Sequence, residues 1–393
     1  MNIVIAHFNS YWVDTSGGVE KVTCELANEI VARGHKVTIL YRDAKEGRPY
    51  FALDKNIKTH NILYKEGKKV ISEKLPASWR AYRELCRLFS QNQAQEINTA
   101  YKTKQYGPAI RFWLDRLRPD IIISSSLFST AYLIDGAKTT VPVITMCHDH
   151  PDMRFSKLSE REIKAGAKSA VLQILLASGL PTAHKYFPDT TIKVIGNAIH
   201  APLKMPLYKG EQEHLIFNVG SFSNRKDQKL LVAAFGKLSS EFPDWKVELW
   251  GDSSVKYARQ VEEEIHKLHL DDKIHLMGTT KNVWDDVYSR GTICAISSRE
   301  ESFGLSLGEA MMMGIPAVGR ASCYGVNDLI IDGKTGLLTG NKADDYADGL
   351  KKLLENRELR HSMGEAGKER IQEYTTKKVY DQWECLLNEV VEK

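Results

Sequence analysis

The stretch SSREESFGLSLGEAMMMGIPAVG, residues 297–319, decides the fold of the second half of this sequence. It carries an apolar strand into a loop, continues into a helix that begins near Gly304, and ends in a second apolar strand. Gly314 is placed to end that helix, and Pro316 prevents its continuation. The order strand, loop, helix, strand predicts parallel strands joined by a helix that packs on the sheet.

The same alternation extends along the chain in both directions. In the first half the predicted strands are 3–7, 36–41, 58–63, 121–124, 143–146, 171–174 and 193–195, with a helix at 19–32. In the second half they are 214–220, 246–250, 273–276, 292–296 and 317–318, with helices at 228–241, 255–268, 282–288 and 305–313. Continuous apolar strands indicate sheets that are buried on both faces. The chain from 343 to 392 is expected to be helical throughout.

Two such series in one chain predict an α/β protein of two Rossmann-like, doubly wound domains. The join lies near 198–213, which contains Pro202 and Pro206. We therefore expect domains at 1–200 and 201–375, with a C-terminal helix at 376–393 that packs back on the first domain. Doubly wound sheets bind ligands at the carboxyl ends of their strands, so the site is expected in a central cleft that both domains face.

Composition fits this organisation. The chain has 393 residues, of which 42% are hydrophobic and 26% charged, enough for two domains with separate cores. Six cysteines without C-x-x-C spacing argue against a disulfide scaffold or a structural zinc site. The N-terminus MNIVIAHF lacks the features of a signal peptide, and no apolar run approaches the ~18 residues of a membrane span. These features predict a cytoplasmic protein.

Positive charge is concentrated in the first half. Residues 65–118 contain twelve Lys or Arg and five acidic residues, a net charge of +7. Within this segment WRAYRELCRLF (79–89) has an amphipathic pattern, with Trp79, Tyr82, Leu85, Cys86 and Phe89 on one side. This pattern suits either contact with an anionic membrane on the inner face or ordinary domain packing. No nucleic-acid-binding module is recognisable.

The second half contains two carboxylates around the helix that starts near Gly304. Glu301 precedes it and Glu309 lies inside it, about 12 Å apart if the backbone were helical throughout. That separation is long for a glycosidase acid pair, which needs about 5–9.5 Å between carboxyls. It suits two carboxylates that bind hydroxyl pairs on different parts of one long ligand. The first helical amides would suit a diphosphate.

At this point the sequence resembles a known family. ESFGLSLGE (301–309) resembles the E-x7-E motif of retaining glycosyltransferases with the GT-B fold, of glycosyltransferase family 4. Other family-like segments occur in the family's order: SGGVEK (16–21), VITMCH (143–148), IGNAIH (195–200), NVGSFSNRKDQKLL (218–231) and GVNDLIIDGKTGLL (325–338). The resemblance covers nearly the whole chain.

The resemblance implies a donor site in the second half. Glu301 would bind hydroxyls of the donor sugar, and Glu309 the ribose diol. Lys226, together with Arg225, would hold the diphosphate as it leaves, in place of a metal ion. The remaining donor-binding candidates are Ser302, Phe303, Gly304 and Leu305, at the start of the helix, and Ser221.

The resemblance also implies roles in the first half. The amides of Gly17 and Gly18 would approach the diphosphate, and His148 would lie near the reacting carbon. The implied activity is metal-independent, retaining transfer of a hexosyl group, without a cofactor, from a nucleotide-diphospho sugar, with a UDP-sugar as the expected donor. The acceptor would be a glycan or a lipid-linked sugar, in the synthesis of a bacterial surface polysaccharide.

Two departures from the family pattern stand out. Ser221 occupies a position where the family often has Arg, so Arg225 is expected to substitute for it, and Asp328 replaces a common Glu. His148 and His150 could instead form a metal site, although Pro151 follows them directly. Two other functions stay open: a non-hydrolysing UDP-sugar 2-epimerase on the same fold, and an inactive protein that only binds a nucleotide sugar.

Overall fold

The computed structural model describes residues 1–15 and 17–392, without the side chains of residues 91, 92 and 95. Ser16, the first residue of the SGGVEK motif, lies outside the described residues. The chain forms two compact units. The N-terminal unit comprises Met1–Ile195 and the end of the chain from Tyr380, and the C-terminal unit is Gly196–Val379. The boundaries expected from the sequence were 200/201 and 375/376.

The N-terminal unit is built on a seven-stranded sheet of parallel strands in the order β3-β2-β1-β6-β7-β8-β9. Its strands are β1 (Asn2–His7), β2 (Lys36–Tyr41), β3 (Lys58–Asn61), β6 (Ile121–Ser124), β7 (Val143–Cys147), β8 (Val171–Ile174) and β9 (Ile192–Val194). A separate antiparallel pair consists of β4 (Tyr64–Lys65) and β5 (Lys68–Lys69). Ile3, Val4, Ile5 and Ala6 are each at most 1% exposed, so both faces of β1 are covered.

The helices of this unit follow the strands as the alternation predicts. They are α1 (Gly18–Ala32), α2 (Ala77–Arg87), α3 (Gln91–Leu117), α4 (Leu127–Ala131), α5 (Pro151–Arg154), α6 (Glu160–Gly166) and α7 (Leu180–Tyr186). Helix α1 ends where Gly34 takes a left-handed φ of 90°, the usual role of Gly after a helix. Ser159 and Glu162 form a capping box at the start of α6.

The C-terminal unit has a six-stranded parallel sheet in the order β12-β11-β10-β13-β14-β15. Its strands are β10 (Leu215–Val219), β11 (Lys246–Trp250), β12 (Ile274–Gly278), β13 (Ile293–Ile296), β14 (Ala317–Arg320) and β15 (Gly336–Thr339). Its helices are α8 (Gly210–Glu213), α9 (Gln228–Gly236), α10 (Lys256–Lys267), α11 (Leu305–Met312), α12 (Tyr324–Leu329), α13 (Ala343–Glu355) and α14 (Arg357–Ile371). Both units therefore confirm the predicted α/β class with parallel sheets.

Three local predictions need correction. The C-terminal segment is not one continuous helix: Asn356 has extended backbone and caps α14, and Thr375 is extended before α15 (Thr376–Val391). The helix predicted at 228–241 ends at Gly236, and the one predicted at 282–288 is a five-residue π-helical turn, Trp284–Tyr288. In each case short-range apolar spacing predicted a longer helix than the backbone forms.

The five residues predicted to form the apolar side of 79–89 are not all covered by the rest of the protein. Trp79 and Cys86 are half-buried, whereas Tyr82, Leu85 and Phe89 are exposed. The described residues include no helix long and apolar enough to cross a membrane.

Candidate active site

In the C-terminal unit the strand order reverses at β10, which has β11 on one side and β13 on the other. Ligands of doubly wound sheets bind at such reversals. The loops after β10 and β13 are bonded to each other here. The Arg299 N–H donates to the Arg225 carbonyl at 2.8 Å, and the Ser297 hydroxyl donates to the Lys226 carbonyl at 2.9 Å. The fold thus joins the two loops that the sequence singled out, and we call this place the Glu301 site.

Lys226 and Glu301 form the centre of the Glu301 site. The ammonium of Lys226 donates to Glu301 Oε1, and the Ser298 hydroxyl donates to the same oxygen at 2.9 Å. The two charged side chains are only 15% and 11% exposed. Charges withdrawn this far from water interact strongly with each other and with any ligand group that replaces one of them. Ser298 was not among the residues predicted from the sequence.

Arg225 and Ser221 lie at the solvent-exposed edge of the Glu301 site. Within the described part of the chain the Arg225 guanidinium has no ion-pair partner, so it is available to an anion. The Ser221 carbonyl accepts from the Gln228 amide at 3.1 Å. Arg225 is therefore an exposed cation next to Lys226 in the sequence.

The start of α11 is shaped for close approach. Gly304 precedes the helix with φ 85°, a conformation that suits Gly, and no side chain caps the first amides. Phe303 is buried and packs edge-on against Tyr374, with ring centroids 5.0 Å apart. The Gly325 N–H donates to the Glu301 carbonyl at 3.0 Å. The segment from Glu301 to Leu305 is thus held on both sides, with uncapped amides at the helix start.

Glu309 lies within α11 and is 9% exposed. Its Oε2 accepts from the hydroxyl of the fully buried Tyr288 at 2.6 Å. Burial first, and the neighbouring carboxylate second, raise the pKa of Tyr288 well above the ordinary value, so the phenol stays a donor. Tyr288 orients Glu309, which the sequence could not show because the two residues belong to separate elements.

A buried ion cluster follows Lys226 directly. Asp227 has a left-handed φ of 47°, and its Oδ2 accepts from Arg299 Nε at 2.9 Å and from the guanidinium of Arg320. Asp227 and Arg320 are 6% and 4% exposed. The cluster ties the residue after Lys226 to the end of β14. Ninety-three positions separate Asp227 from Arg320, so no local pattern could have indicated this pair.

In the N-terminal unit the Gly-rich loop surrounds a buried carboxylate. Gly17 precedes α1, and a Cβ at that position would overlap Glu20 Oε2, whereas Gly18 has open space. Glu20 accepts from the Ser10 hydroxyl and lies 3.3 Å from His7 Nε2. Burial raises the pKa of Glu20, but the hydrogen bonds from His7 and Ser10 outweigh it and lower the pKa overall. A side chain at Gly17 would therefore displace the carboxylate of Glu20, a residue that was not among those predicted from the sequence.

His148 directly follows β7 and is partly buried. Its Nε2 is buried without a hydrogen-bond partner among the described residues. Burial, reinforced by His7, lowers the pKa of His148 to about 4, although Asp149 and Glu20 oppose the shift. The imidazole is thus neutral near pH 7 and can donate or accept one hydrogen bond to a ligand.

His150 has a structural role in the N-terminal unit. Its Nε2 is 2.8 Å from the Ser178 hydroxyl, and its ring accepts from the Asp152 N–H at the start of α5. Among the described residues no group of three His, Cys, Asp or Glu side chains is arranged to hold a metal ion. His150 is therefore a buried helix cap, whereas His148 has a ring nitrogen without a hydrogen-bond partner among the described residues.

A cavity of about 150 Å³ adjoins His148. It lies where the sheet order reverses, between the ends of β1, β6 and β7. Its polar walls include Asn9, Ser125 and the ion pair of Arg154 and Glu162, and its apolar walls include Phe128. Because pockets for whole ligands usually span about 300–1,000 Å³, this one suits a single group of a larger substrate.

Comparison with known proteins agrees with this architecture. The family described as Glycosyltransferase Family 4 matches residues 16–182, and the one described as Glycosyl transferases group 1 matches residues 204–370. N-acetyl-alpha-D-glucosaminyl L-malate synthase of Bacillus anthracis is 30% identical over 183 residues, 46% of this chain and 47% of that protein. The chain thus spans about half the length of this curated relative.

Solved structures resemble the chain over nearly its whole length. Sucrose-phosphate synthase from Thermosynechococcus elongatus has a TM-score of 0.75 at 17% identity, covering 98% of both chains. A mutant of S. aureus TarM in complex with fondaparinux, alpha-GlcNAc-glycerol and UDP has a TM-score of 0.73 at 15% identity, covering 100% of both. The chain therefore belongs to the glycosyltransferases of the GT-B fold, with a family 4 domain in its first half and a group 1 domain in its second.

Proposed function

We propose that this glycosyltransferase moves a hexosyl group from a UDP-sugar to a glycan or lipid-linked acceptor, retains the anomeric configuration and needs no metal ion. The observation that carries the proposal is the Glu301 site. There Lys226 and Glu301 are paired at one end of α11, and Glu309 is held by Tyr288 further along it. The relative TarM, whose solved structure contains UDP, supports the choice of nucleotide.

Lys226 would stabilise the departing diphosphate. A diphosphate bound at the uncapped start of α11 would compete with Glu301 for the ammonium, and Arg225 would add a second positive charge. The hydrogen bond from Ser298 would keep Glu301 in place during this exchange. Positive side chains would thereby perform the charge neutralisation that a metal ion performs in other transferases.

Donor recognition would use the two carboxylates at separate places. Glu301, released from Lys226, would accept hydrogen bonds from sugar hydroxyls. Glu309, oriented by the Tyr288 hydroxyl, would accept from the ribose diol. Their positions before and within α11 match a ligand that is longer than a single ring.

On the acceptor side, the neutral His148 and the adjoining cavity would receive the group that attacks the sugar. Retention would follow if the acceptor hydroxyl attacks from the face that the diphosphate leaves, or through a short-lived intermediate. We further propose a cytoplasmic role in the synthesis of a bacterial surface polysaccharide.

The first test is a thermal-shift series with UDP, GDP, ADP and their sugar conjugates in the presence of EDTA. A ligand that binds only the folded state raises the unfolding midpoint. We expect a shift with UDP and its sugars. A shift with GDP or ADP alone would contradict the assigned base, and no shift with any nucleotide would contradict the donor site itself.

The second test measures transfer by Lys226→Met, with Lys229→Met as the matched control. Lys229 is a neighbouring, half-buried lysine, placed over the Tyr257 ring on the adjacent helix. We expect loss of nearly all transfer in the first variant and little change in the control. NMR of the product should show the donor's anomeric configuration. An inverted product, or conversion of the UDP-sugar without acceptor, would refute the assigned reaction.

A further inference from the structure

Helix α2 contributes nothing to a buried core, since none of its residues is buried. One side of the helix faces α3: the rings of Trp79 and Tyr101 are 5.6 Å apart, and an Arg83 guanidinium nitrogen donates to the Asn98 side-chain oxygen at 3.2 Å. A helix with a single packed side would normally present polar residues on its other side. In α2 the other side carries large apolar residues beside the charged residues Arg80, Glu84 and Arg87.

The exposed side of α2 and the turn after it carry four large apolar residues, which we call the apolar ridge. Tyr82, Leu85, Leu88 and Phe89 are 58%, 56%, 80% and 82% exposed. At about 100° per residue, Leu85 and Leu88 lie opposite the side that packs on α3. Large apolar residues grouped in this way on a protein surface usually mark an interaction site.

Positively charged residues flank the apolar ridge. By the same helical spacing, Arg80 and Arg87 lie along one edge of it. Glu84 lies on the same edge and pairs with Arg87 at 2.9 Å and with Arg83 at 2.5 Å, so Arg80 is the cation there without an ion-pair partner among the described residues. Beside Arg80 an open groove of about 580 Å³ separates α2 from α3, and its cationic walls come from Lys74, Arg80, Arg83 and Lys102. We call these residues the basic groove.

The one carboxylate in the basic groove is already engaged. Glu73 accepts from Arg42 and from the Tyr106 hydroxyl, each at 2.5 Å. Burial first, and nearby Arg42 second, lower the pKa of Lys102, as expected where cations are crowded. Arg83 is paired with Glu84, so the excess of positive charge in the groove comes from Lys74, Arg80 and Lys102, and an anion would neutralise it.

We propose that the apolar ridge and the basic groove together form a docking surface for a bilayer with anionic phospholipid headgroups. An interfacial helix places its apolar side at the boundary of the acyl chains and its cations at the level of the phosphates. The ridge and its flanking arginines have this arrangement, and the groove offers further cations to the headgroups. A soluble polyanion would neutralise the groove but leave the ridge exposed to water.

This proposal goes beyond the proposed function and does not depend on the donor. It implies that the N-terminal unit brings the enzyme to a membrane surface, where a lipid-linked acceptor would be concentrated. Vesicle binding and nucleotide binding are measured separately. A protein that bound no vesicles would contradict the docking surface but not the donor site, and a protein that bound no nucleotide would do the reverse.

The test is vesicle co-sedimentation of the full chain. One set of vesicles contains phosphatidylcholine alone, and the other contains phosphatidylcholine mixed with phosphatidylglycerol. We expect binding to the mixed vesicles that weakens with salt. Each basic residue near an anionic surface contributes about 1 kcal/mol, so Arg80→Gln and Arg87→Gln should each weaken binding about fivefold. Leu85→Ser and Leu88→Ser should each weaken it about tenfold or more, because a buried Leu contributes roughly 1.5–3 kcal/mol.

Matched controls lie in the C-terminal unit. Leu203→Ser and Leu207→Ser remove exposed leucines, of which Leu207 matches Leu88 in exposure, and Lys246→Gln and Lys281→Gln remove exposed cations. All four should bind vesicles like the wild type. Equal binding to both vesicle types, or equal losses in ridge and control variants, would overturn the proposal. It would also fall if the ridge variants dissociated an oligomer in sedimentation runs without vesicles, since a second copy would then cover the ridge.

Discussion

Replacing Tyr288 by Phe should weaken UDP binding without disturbing the packing of the C-terminal unit. The ring of Tyr288 contacts Phe217 and Trp284, at centroid distances of 5.7 and 5.3 Å, and Phe preserves these contacts. The change removes only the hydroxyl that donates to Glu309 at 2.6 Å. Glu309 would keep its place on α11 but lose a donor that orients its carboxylate.

The size of the effect follows from the kind of hydrogen bond. A hydrogen bond to a charged group contributes about 1.5–3 kcal/mol, compared with about 1 kcal/mol for a neutral pair. We therefore expect the free energy of unfolding to fall by about 2 kcal/mol. If the poorer orientation of Glu309 also weakens its contact with the ribose by about 1.4 kcal/mol, the Kd for UDP rises about tenfold.

Tyr346→Phe is the matched control. Tyr346 is also fully buried in the C-terminal unit, but its hydroxyl donates to the neutral carbonyl of Val318 at 3.0 Å. Urea denaturation should show a loss of about 1 kcal/mol for this variant. Isothermal titration with UDP should show wild-type affinity. If Tyr288→Phe matched the control in both measurements, the argument that Tyr288 orients Glu309 for the nucleotide would be refuted.

Three further predictions concern charge. Glu301→Gln should abolish nearly all transfer while the protein stays folded by circular dichroism, and substantial turnover would contradict its role. Asp227→Gly keeps the left-handed backbone but leaves Arg320 buried without a carboxylate, so the unfolding free energy should fall by about 3 kcal/mol or more. Asp14→Gly is the matched control, because Asp14 also has a left-handed φ but belongs to an exposed ion pair, and it should change the unfolding free energy by under about 1 kcal/mol. Equal losses of unfolding free energy in the two variants would show that the cluster at Asp227 does not stabilise the fold. His148 has its pKa lowered to about 4 when folded, so its contribution to stability is complete above the unfolded pKa and is lost as pH falls towards 4. From pH 7 to pH 5 the unfolding free energy of the wild type should fall by about 2 kcal/mol more than that of His148→Gln. If the unfolding free energies of the two proteins fell in parallel with pH, this prediction would be wrong.

Local sequence patterns predicted most elements of both sheets. Strands such as β1 and β10 are continuous apolar runs because both faces are covered, and this makes them recognisable without long-range information. The start and the end of α11 were also predictable, since Gly304 before the helix and Gly314 after it both adopt positive φ, which glycine favours. The order of the family-like motifs then indicated which loops should meet.

Helix lengths were predicted less well, because apolar spacing continues beyond the point where backbone bonding stops. The chain from 343 onward keeps a helical pattern, yet Asn356 caps a new helix. For 79–89 the pattern indicated an amphipathic helix but not which side would be covered. Packing on α3 decided this, and it left Leu85 and Phe89 exposed while Trp79 was partly buried.

The sequence by itself determined the class of fold and predicted the two glutamates as site residues, because both inferences depend on short-range periodicity and on motif order. Only the tertiary structure showed what holds the site in shape: Ser298 and Lys226 on Glu301, Tyr288 on Glu309, and the Asp227 cluster. These partners lie on different loops and strands, and their charges and hydroxyls meet only after the sheet has brought its carboxyl ends together. Hydrogen bonds between distant residues leave no periodic signal in a single sequence, so the support of the site had to come from the fold.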